Sequence, residues 1–231
     1  MFIPFGFFSK EIEDSTPTIN NGGSILFKGN RNSFINYNSN DPDFSMGTSD
    51  FTIEWFQYQT DSNSFPRIFQ LGNYPSTSMG VSIEGGIFYF WANSSFNSFG
   101  SDVHYKNTWV HFAITRQGTT LRAFKNGIQF GENRILSANI NNTVNNFTIS
   151  NESTRSDGAA FGGNITNFRW IKGDAIYTSN FNKPTSPLES TRNTKLLLLA
   201  TDSNTLSTDS STSNKIANTS NISWSSLTPF S

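Results

Sequence analysis

Apolar residues in this chain recur in short bursts of period two, and clusters of Gly, Pro and Asn separate the bursts. A period of two places alternate side chains on opposite faces of an extended strand, and turn residues spaced about ten to fifteen positions apart are the punctuation of an all-β domain. The bursts predict strands at Ser24 to Phe27, Phe34 to Tyr37, Phe51 to Gln59, Ile68 to Leu71, Gly80 to Ile83 and Ile87 to Trp91. Further strands are predicted at Trp109 to Arg116, Thr120 to Lys125, Ile128 to Phe130, Asn146 to Ile149, Ile165 to Ile171 and Lys195 to Leu199. No stretch carries the 3.6-residue period of an ordinary helix, so the expected fold is a two-sheet antiparallel β-sandwich.

Two local signals sharpen that picture. In Leu121 to Phe130, Asn126-Gly127 can occupy the two positive-φ positions of a type I′ turn, which specifies a tight hairpin. In Phe51 to Trp55, the apolar Phe51, Ile53 and Trp55 alternate with Thr52 and Glu54, so one face is expected to be core and the other at least partly wet. From Trp55 onward both faces become aromatic.

Three segments follow from the pattern. Residues 1–21 form an arm with Phe2, Ile3, Phe5, Phe7 and Phe8 ahead of Glu11, Glu13 and Asp14. Residues 22–200 hold the strands of the sandwich, and residues 201–231 form a Ser/Thr/Asn-rich tail that still contains Ile216, Ile222, Trp224, Leu227 and Phe230. The apolar start lacks a basic region, is broken by Pro4 and Gly6 and has no small-residue cleavage site, so it reads as mature sequence rather than a secretion signal. Its aromatic residues are expected to dock into a partner, because buried aromatic anchors carry much of the affinity of such arms.

Composition narrows the function classes. The net charge is -1 with 14% charged residues, which leaves no field to attract nucleic acid or an anionic membrane. The absence of cysteine excludes a disulfide framework, a zinc-thiolate centre and a thiol nucleophile. Leu196 to Ala200 is the longest aliphatic run and is far short of the ~20 residues that span a bilayer, so a soluble chain is expected. The seven N-x-S/T sequons, at Asn93, Asn141, Asn146, Asn151, Asn164, Asn218 and Asn221, match the number that so much Asn, Ser and Thr produces by chance and carry no information.

In series, the strand sequences resemble the laminin G-like jelly roll of the concanavalin A-like superfamily. The phrases that carry the resemblance are Ser24-Ile-Leu-Phe-Lys-Gly29, Ser33-Phe-Ile-Asn-Tyr37, Asp50-Phe-Thr-Ile-Glu-Trp-Phe56 and Arg67-Ile-Phe-Gln-Leu-Gly72. Trp109 to Arg116, Lys125-Asn-Gly127, Gly163 to Ile171 and the closing Tyr177-Thr-Ser-Asn-Phe181 with Pro184-Thr-Ser-Pro187 complete it. The family's usual opening strand and turn are missing before Ser24, whereas Lys195 to Ala200, Thr208-Asp-Ser-Ser211 and Asn221-Ile-Ser-Trp224 stand at the C-terminus. The tail is therefore expected to supply the missing strands, to its own sandwich as in a circular permutation or to a neighbour by a swap.

The resemblance brings glycoside hydrolases into view, which need paired carboxylates across a cleft. Their E-x-D-x-x-E strand is absent, and Glu54 sits inside a scaffold phrase. His111 falls within the family's W-x-H-x-A strand, and His104 has no Ser or Asp at a recognisable motif spacing. No enzyme is expected. Calcium, which some relatives hold at the sandwich rim, is weighed at Asp102, Asp157 and Asp174, but these form no D-x-D-x-D run, and no metal ligand set or cofactor is assigned.

Sugar binding would use an exposed aromatic face beside Asn oxygens and amides. Its candidates are Tyr89, Trp91 and Asn93, with Asn73 and Tyr74 in a neighbouring loop, although the alternation in Ile87 to Trp91 is equally that of a strand buried on both faces, and that reading is preferred. The closing phrase resembles modules in virion structural proteins of phages and large DNA viruses. This implies a capsid- or fibre-associated subunit acting by assembly with other virion proteins or copies of itself, located in the virion; the alternative is a secreted or cell-surface lectin.

Overall fold

The computed structural model describes residues 22–37, 40–60, 63, 65–73, 77–100, 106–141, 146–151 and 157–230. The arm residues Phe2, Ile3, Phe5, Phe7 and Phe8, together with Tyr74, Asp102 and His104, lie outside these. Within them the chain forms β1 (Ser24–Lys28), β2 (Phe34–Tyr37), β3 (Phe51–Gln59), β4 (Arg67–Asn73), β5 (Thr77–Glu84), β6 (Ile87–Ala92), β7 (Ser95–Ser98) and β8 (Trp109–Gln117). There follow β9 (Thr120–Lys125), β10 (Ile128–Gln129), β11 (Arg134–Ile135), β12 (Phe147–Ile149), β13 (Gly162–Lys172), β14 (Thr194–Leu198), β15 (Ala217–Ser220) and β16 (Ile222–Ser225). A 3₁₀ turn at Pro42–Phe44 is the helical element among the described residues.

The strands make two antiparallel sheets, as the period-two pattern predicts. The nine-stranded sheet runs β10-β9-β8-β3-β13-β1-β16, with β11 on β9 and β14 on β13; the seven-stranded sheet runs β15-β2-β12-β4-β5-β6-β7. Between them lies an aromatic core. Trp55 from β3 stacks with Phe88, Phe112 and Phe168 at ring-centroid distances of 6.3, 5.8 and 6.4 Å, and Phe69 meets Trp170 edge-on at 5.7 Å. Each such side chain contributes roughly 1.5 to 3 kcal/mol by leaving water, and ring pairs of this geometry add about 0.5 to 1.5 kcal/mol.

The predicted hairpin forms: Asn126 and Gly127 take φ of 50° and 83° between β9 and β10. β13 is bulged at Asn167, whose φ is 53°, and the bulge divides its edge. Ile165 to Gly162 pair with β1, while Phe168 to Ile171 pair with β14. In the tail, β15 pairs with β2 in one sheet and β16 pairs with β1 in the other, so 217–225 link the two layers within one chain.

One expectation is corrected. The face of β3 that carries Thr52 and Glu54 is not wet, because both residues are fully buried. The segment 174–189, which forms no strand, crosses the outside of the larger sheet there. Thr52 Oγ1 donates to the Asp174 carbonyl and accepts from the Ile176 amide, Thr115 Oγ1 donates to the Tyr177 carbonyl, and the Phe181 amide donates to the Gly127 carbonyl. Tyr177 and Phe181 stack with centroids 3.6 Å apart, and both pack on Phe124.

Candidate functional site

A buried cluster of titratable side chains lies beneath that strap. Glu54 on β3, His111 on β8 and Arg169 on β13 sit side by side because the register pairs Glu54 with both Ala113 and Arg169. Arg169 donates through Nε and Nη2 to Glu54 Oε1, with the Nε contact at 2.8 Å. His111 Nε2 and Tyr177 Oη each lie 3.0 Å from Glu54 Oε2. Burial by itself would raise the Glu54 carboxyl, but hydrogen bonding from His111 and the charge of Arg169 outweigh it and hold the carboxyl below its ordinary range. Burial, and then the charge of Glu54, push the Tyr177 phenol well above its usual value. A carboxylate so fully occupied and so deeply covered reaches no substrate; the cluster fastens the strap to the sheet.

The sequence-derived sugar candidates separate in space. Tyr89 and Trp91 share the outer face of the smaller sheet, as residues two apart on a strand must. Tyr89 is half-buried, but Trp91 is fully buried. The Arg67 guanidinium lies 4.6 Å from the Trp91 ring centroid, and Arg67 is itself paired with Glu84 at 2.6 Å. Gly80 lies against the indole, where a Cβ would overlap it. Asn93 turns away in the β6–β7 hairpin and donates to the Asn139 carbonyl at 2.8 Å, and Asn73 ends β4.

The calcium candidates likewise stand apart. Asp157 pairs with Arg31, and Asp174 accepts from Asn193. Among the described residues no group of three or more His, Cys, Asp or Glu could hold a metal ion.

A groove that the sequence does not announce opens where the 3₁₀ turn meets the tail. It encloses about 530 Å³, within the usual range for small-ligand sites. Tyr37 and Phe44 are buried at its base, Asn40 and Asp41 form one wall, and Ser213, Asn214, Lys215 and Ile216 form the other. Both walls are pre-shaped by short-range chemistry. Asp41 caps the 3₁₀ turn by accepting from the Asp43 amide, with Pro42 in the first helical position. In the tail, the buried Asp209 carboxylate accepts from the amides of Leu197, Ser211 and Lys215 and from the Ser211 hydroxyl.

Lys215 joins the walls. Its ammonium donates to Asp41 and to Asp43 Oδ2 at 2.9 Å, and lies 5.1 Å from the Phe44 ring centroid. Burial would raise the Asp43 carboxyl; the hydrogen bond and charge of Lys215, with Lys195 at 3.6 Å, overcome that and hold it below the ordinary carboxylate range. The Asp-Pro cap and the Asp-Ser-Ser turn are each legible in the sequence, but nothing local says that they meet.

Residues 30–174 match the family described as the concanavalin A-like lectin/glucanases superfamily, of the laminin G type. No match is found among curated proteins. Solved structures of similar fold include a putative carbohydrate binding protein from Bacteroides ovatus, with 13% identity, a TM-score of 0.57 and coverage of 89% of this chain and 60% of that one. The heptameric SAP-like pentraxin of Limulus polyphemus is 11% identical, with a TM-score of 0.57 over 89% of this chain and 95% of its own. The CBM40 of the Ruminococcus gnavus IT-sialidase, bound to α2,3 sialyllactose, is 12% identical with a TM-score of 0.50 over 67% of this chain and 92% of its own. The chain thus spans 60% of the Bacteroides protein and nearly the whole of the other two.

Proposed function

The chain belongs to the concanavalin A-like lectin/glucanases superfamily, and on that premise we propose that it is a non-catalytic carbohydrate-binding module whose ligand lies in the groove between the 3₁₀ turn and the tail. The observation that carries the reading is the groove itself. It combines an ordered carboxylate (Asp41), amides (Asn40, Asn214), a hydroxyl (Ser213) and an aliphatic wall (Ile216) in a volume that suits one or two sugar rings. Sugars present hydroxyls to the first set and a C–H face to the last. Two carboxylates support the non-catalytic part: Glu54 is consumed by Arg169, His111 and Tyr177, and Asp43 by Lys215 and Ser213. The carbohydrate-binding description of the Bacteroides ovatus protein and the sialyllactose held by the CBM40 domain lend support from the fold's use elsewhere.

The test is a glycan array probed with the full chain, alongside Asp41→Ala checked for an intact melting transition. The proposal expects binding to at least one oligosaccharide class that falls by at least tenfold in the variant, and no release of reducing ends. Turnover that disappears when one carboxylate is neutralised would overturn it.

A second reading, assembly as a capsid- or fibre-associated virion subunit, is supported by the resemblance of the closing phrase and by a sheet edge. On the short strands β10 and β11, at the free margin of the larger sheet, Ile128 and Ile135 are 57% and 71% exposed. It expects self-association that Ile128→Lys with Ile135→Lys abolishes, read by sedimentation; a chain that stays monomeric at high concentration counts against it.

A further inference from the structure

We infer that the groove selects neutral, hydroxyl-rich sugars and rejects their acidic counterparts, an inference that rests on the carbohydrate-binding reading of the same site. The reason is an asymmetry in how its charges are spent. Lys215 is the one cation among the lining residues, and its side chain is only 5% exposed. Its protons go to Asp41 and Asp43, and the ammonium rests against the Phe44 ring. Of the three donors of an ammonium, two are spent on these carboxylates, and with the side chain almost fully covered beside the Phe44 ring the third is poorly placed to meet a ligand carboxylate. The Ser213 hydroxyl proton is likewise given to Asp43, at 3.2 Å. Lys195 is taken up from behind by Asp43 at 3.6 Å and does not line the groove.

What faces solvent is acceptor capacity. The Asp41 side chain is 33% exposed. Its Oδ1 accepts from the Asp43 amide and its Oδ2 from Lys215, and a carboxylate has about four lone-pair sites, so roughly two remain for incoming donors. Adjacent sugar hydroxyls are donors with the spacing to use both. Lys172 stands outside the lining and donates to the Pro42 carbonyl, so a uronic or sialic acid brings a second carboxylate toward Asp41 with no cation of the groove's own lining turned to receive it, and like charges brought together cost affinity. Ile216, 90% exposed on the opposite wall, offers the C–H face of a sugar an aliphatic surface without adding charge.

The experiment compares matched pairs on the full chain by calorimetry at low ionic strength: lactose with α2,3-sialyllactose, and trigalactose with trigalacturonate. The neutral member is expected to bind roughly tenfold tighter or more, with the gap narrowing as salt is raised. Ile216→Lys keeps an aliphatic stem at an exposed position and adds a cation, and should bring the acidic member to within about threefold; Ile216→Glu should widen the gap. An acidic member that binds as well as its neutral partner overturns the inference and leaves sugar binding standing. A gap indifferent to both substitutions also overturns it, since the ligand then lies elsewhere. Silence toward every sugar from a folded chain defeats the carbohydrate-binding reading, and this inference with it.

Discussion

Replacing Glu54 by Gln keeps the volume and the planar head of the side chain and removes one charge from the centre of the larger sheet's covered face. In the native chain that charge meets Arg169 at Oε1, and His111 and Tyr177 at Oε2, all beneath the strap. The amide leaves a buried guanidinium without its counter-ion and turns an NH₂ toward groups that already donate. Removing one partner of a buried pair costs about 3 to 5 kcal/mol. In a chain of this size each kcal/mol lowers Tm by roughly 2 to 4 °C, so a fall of about 6 to 20 °C is expected near neutral pH.

Acid supplies a second, independent readout. The folded Glu54 carboxyl is held below its ordinary value. Its stabilisation is therefore complete above the unfolded pKa of about 4.3 and is lost as pH falls through the lower folded value. The glutamine side chain of the variant has no such proton to take up, so the Tm gap between wild type and Glu54→Gln should be full at about pH 7, begin to narrow at about pH 5 and keep narrowing as the pH falls. Thermal melts followed by circular dichroism across that range measure both effects. A variant that melts within about 2 °C of wild type near neutral pH, or a gap that does not narrow on acidification, would refute the assignment of this cluster as the strap's fastening.

Two further outcomes test the scaffold. Gly127→Ala adds a methyl at φ 83° that overlaps the Phe181 carbonyl, so it should cost roughly 1 to 3 kcal/mol and raise amide exchange across 174–189, an effect absent if the strap is held by Glu54 alone. Truncation after Ala200 removes β15 and β16, uncovering edges of β2 and β1 in both sheets at once; aggregated material on size exclusion is expected, and a soluble truncation with a cooperative melt would show that the tail is dispensable.

Much of the architecture is local in origin and so was readable from the chain alone. Period-two alternation in Phe51 to Trp55, the Asn126-Gly127 turn and the spacing of turn residues each act over a few positions, which is why the strands, the hairpin and the two-sheet sandwich could be read without coordinates. The same locality explains what could not be read. Thr52 and Glu54 look solvent-facing along their own strand; they are buried because a segment more than a hundred residues later crosses them. Trp91 is buried, as the preferred reading of its strand has it, but the side chain that covers its ring, Arg67, is brought alongside only by the β4-β5-β6 order. Asp41 and Lys215 stand 174 residues apart, and only the pairing of β15 with β2 sets them face to face. Residue types and their periodicity determined which segments are strands and which faces are apolar, because those follow from backbone geometry and burial. Which faces meet, and hence where a groove opens, was decided by sheet order and by the path of the unpaired segments, long-range choices that no short window of sequence encodes.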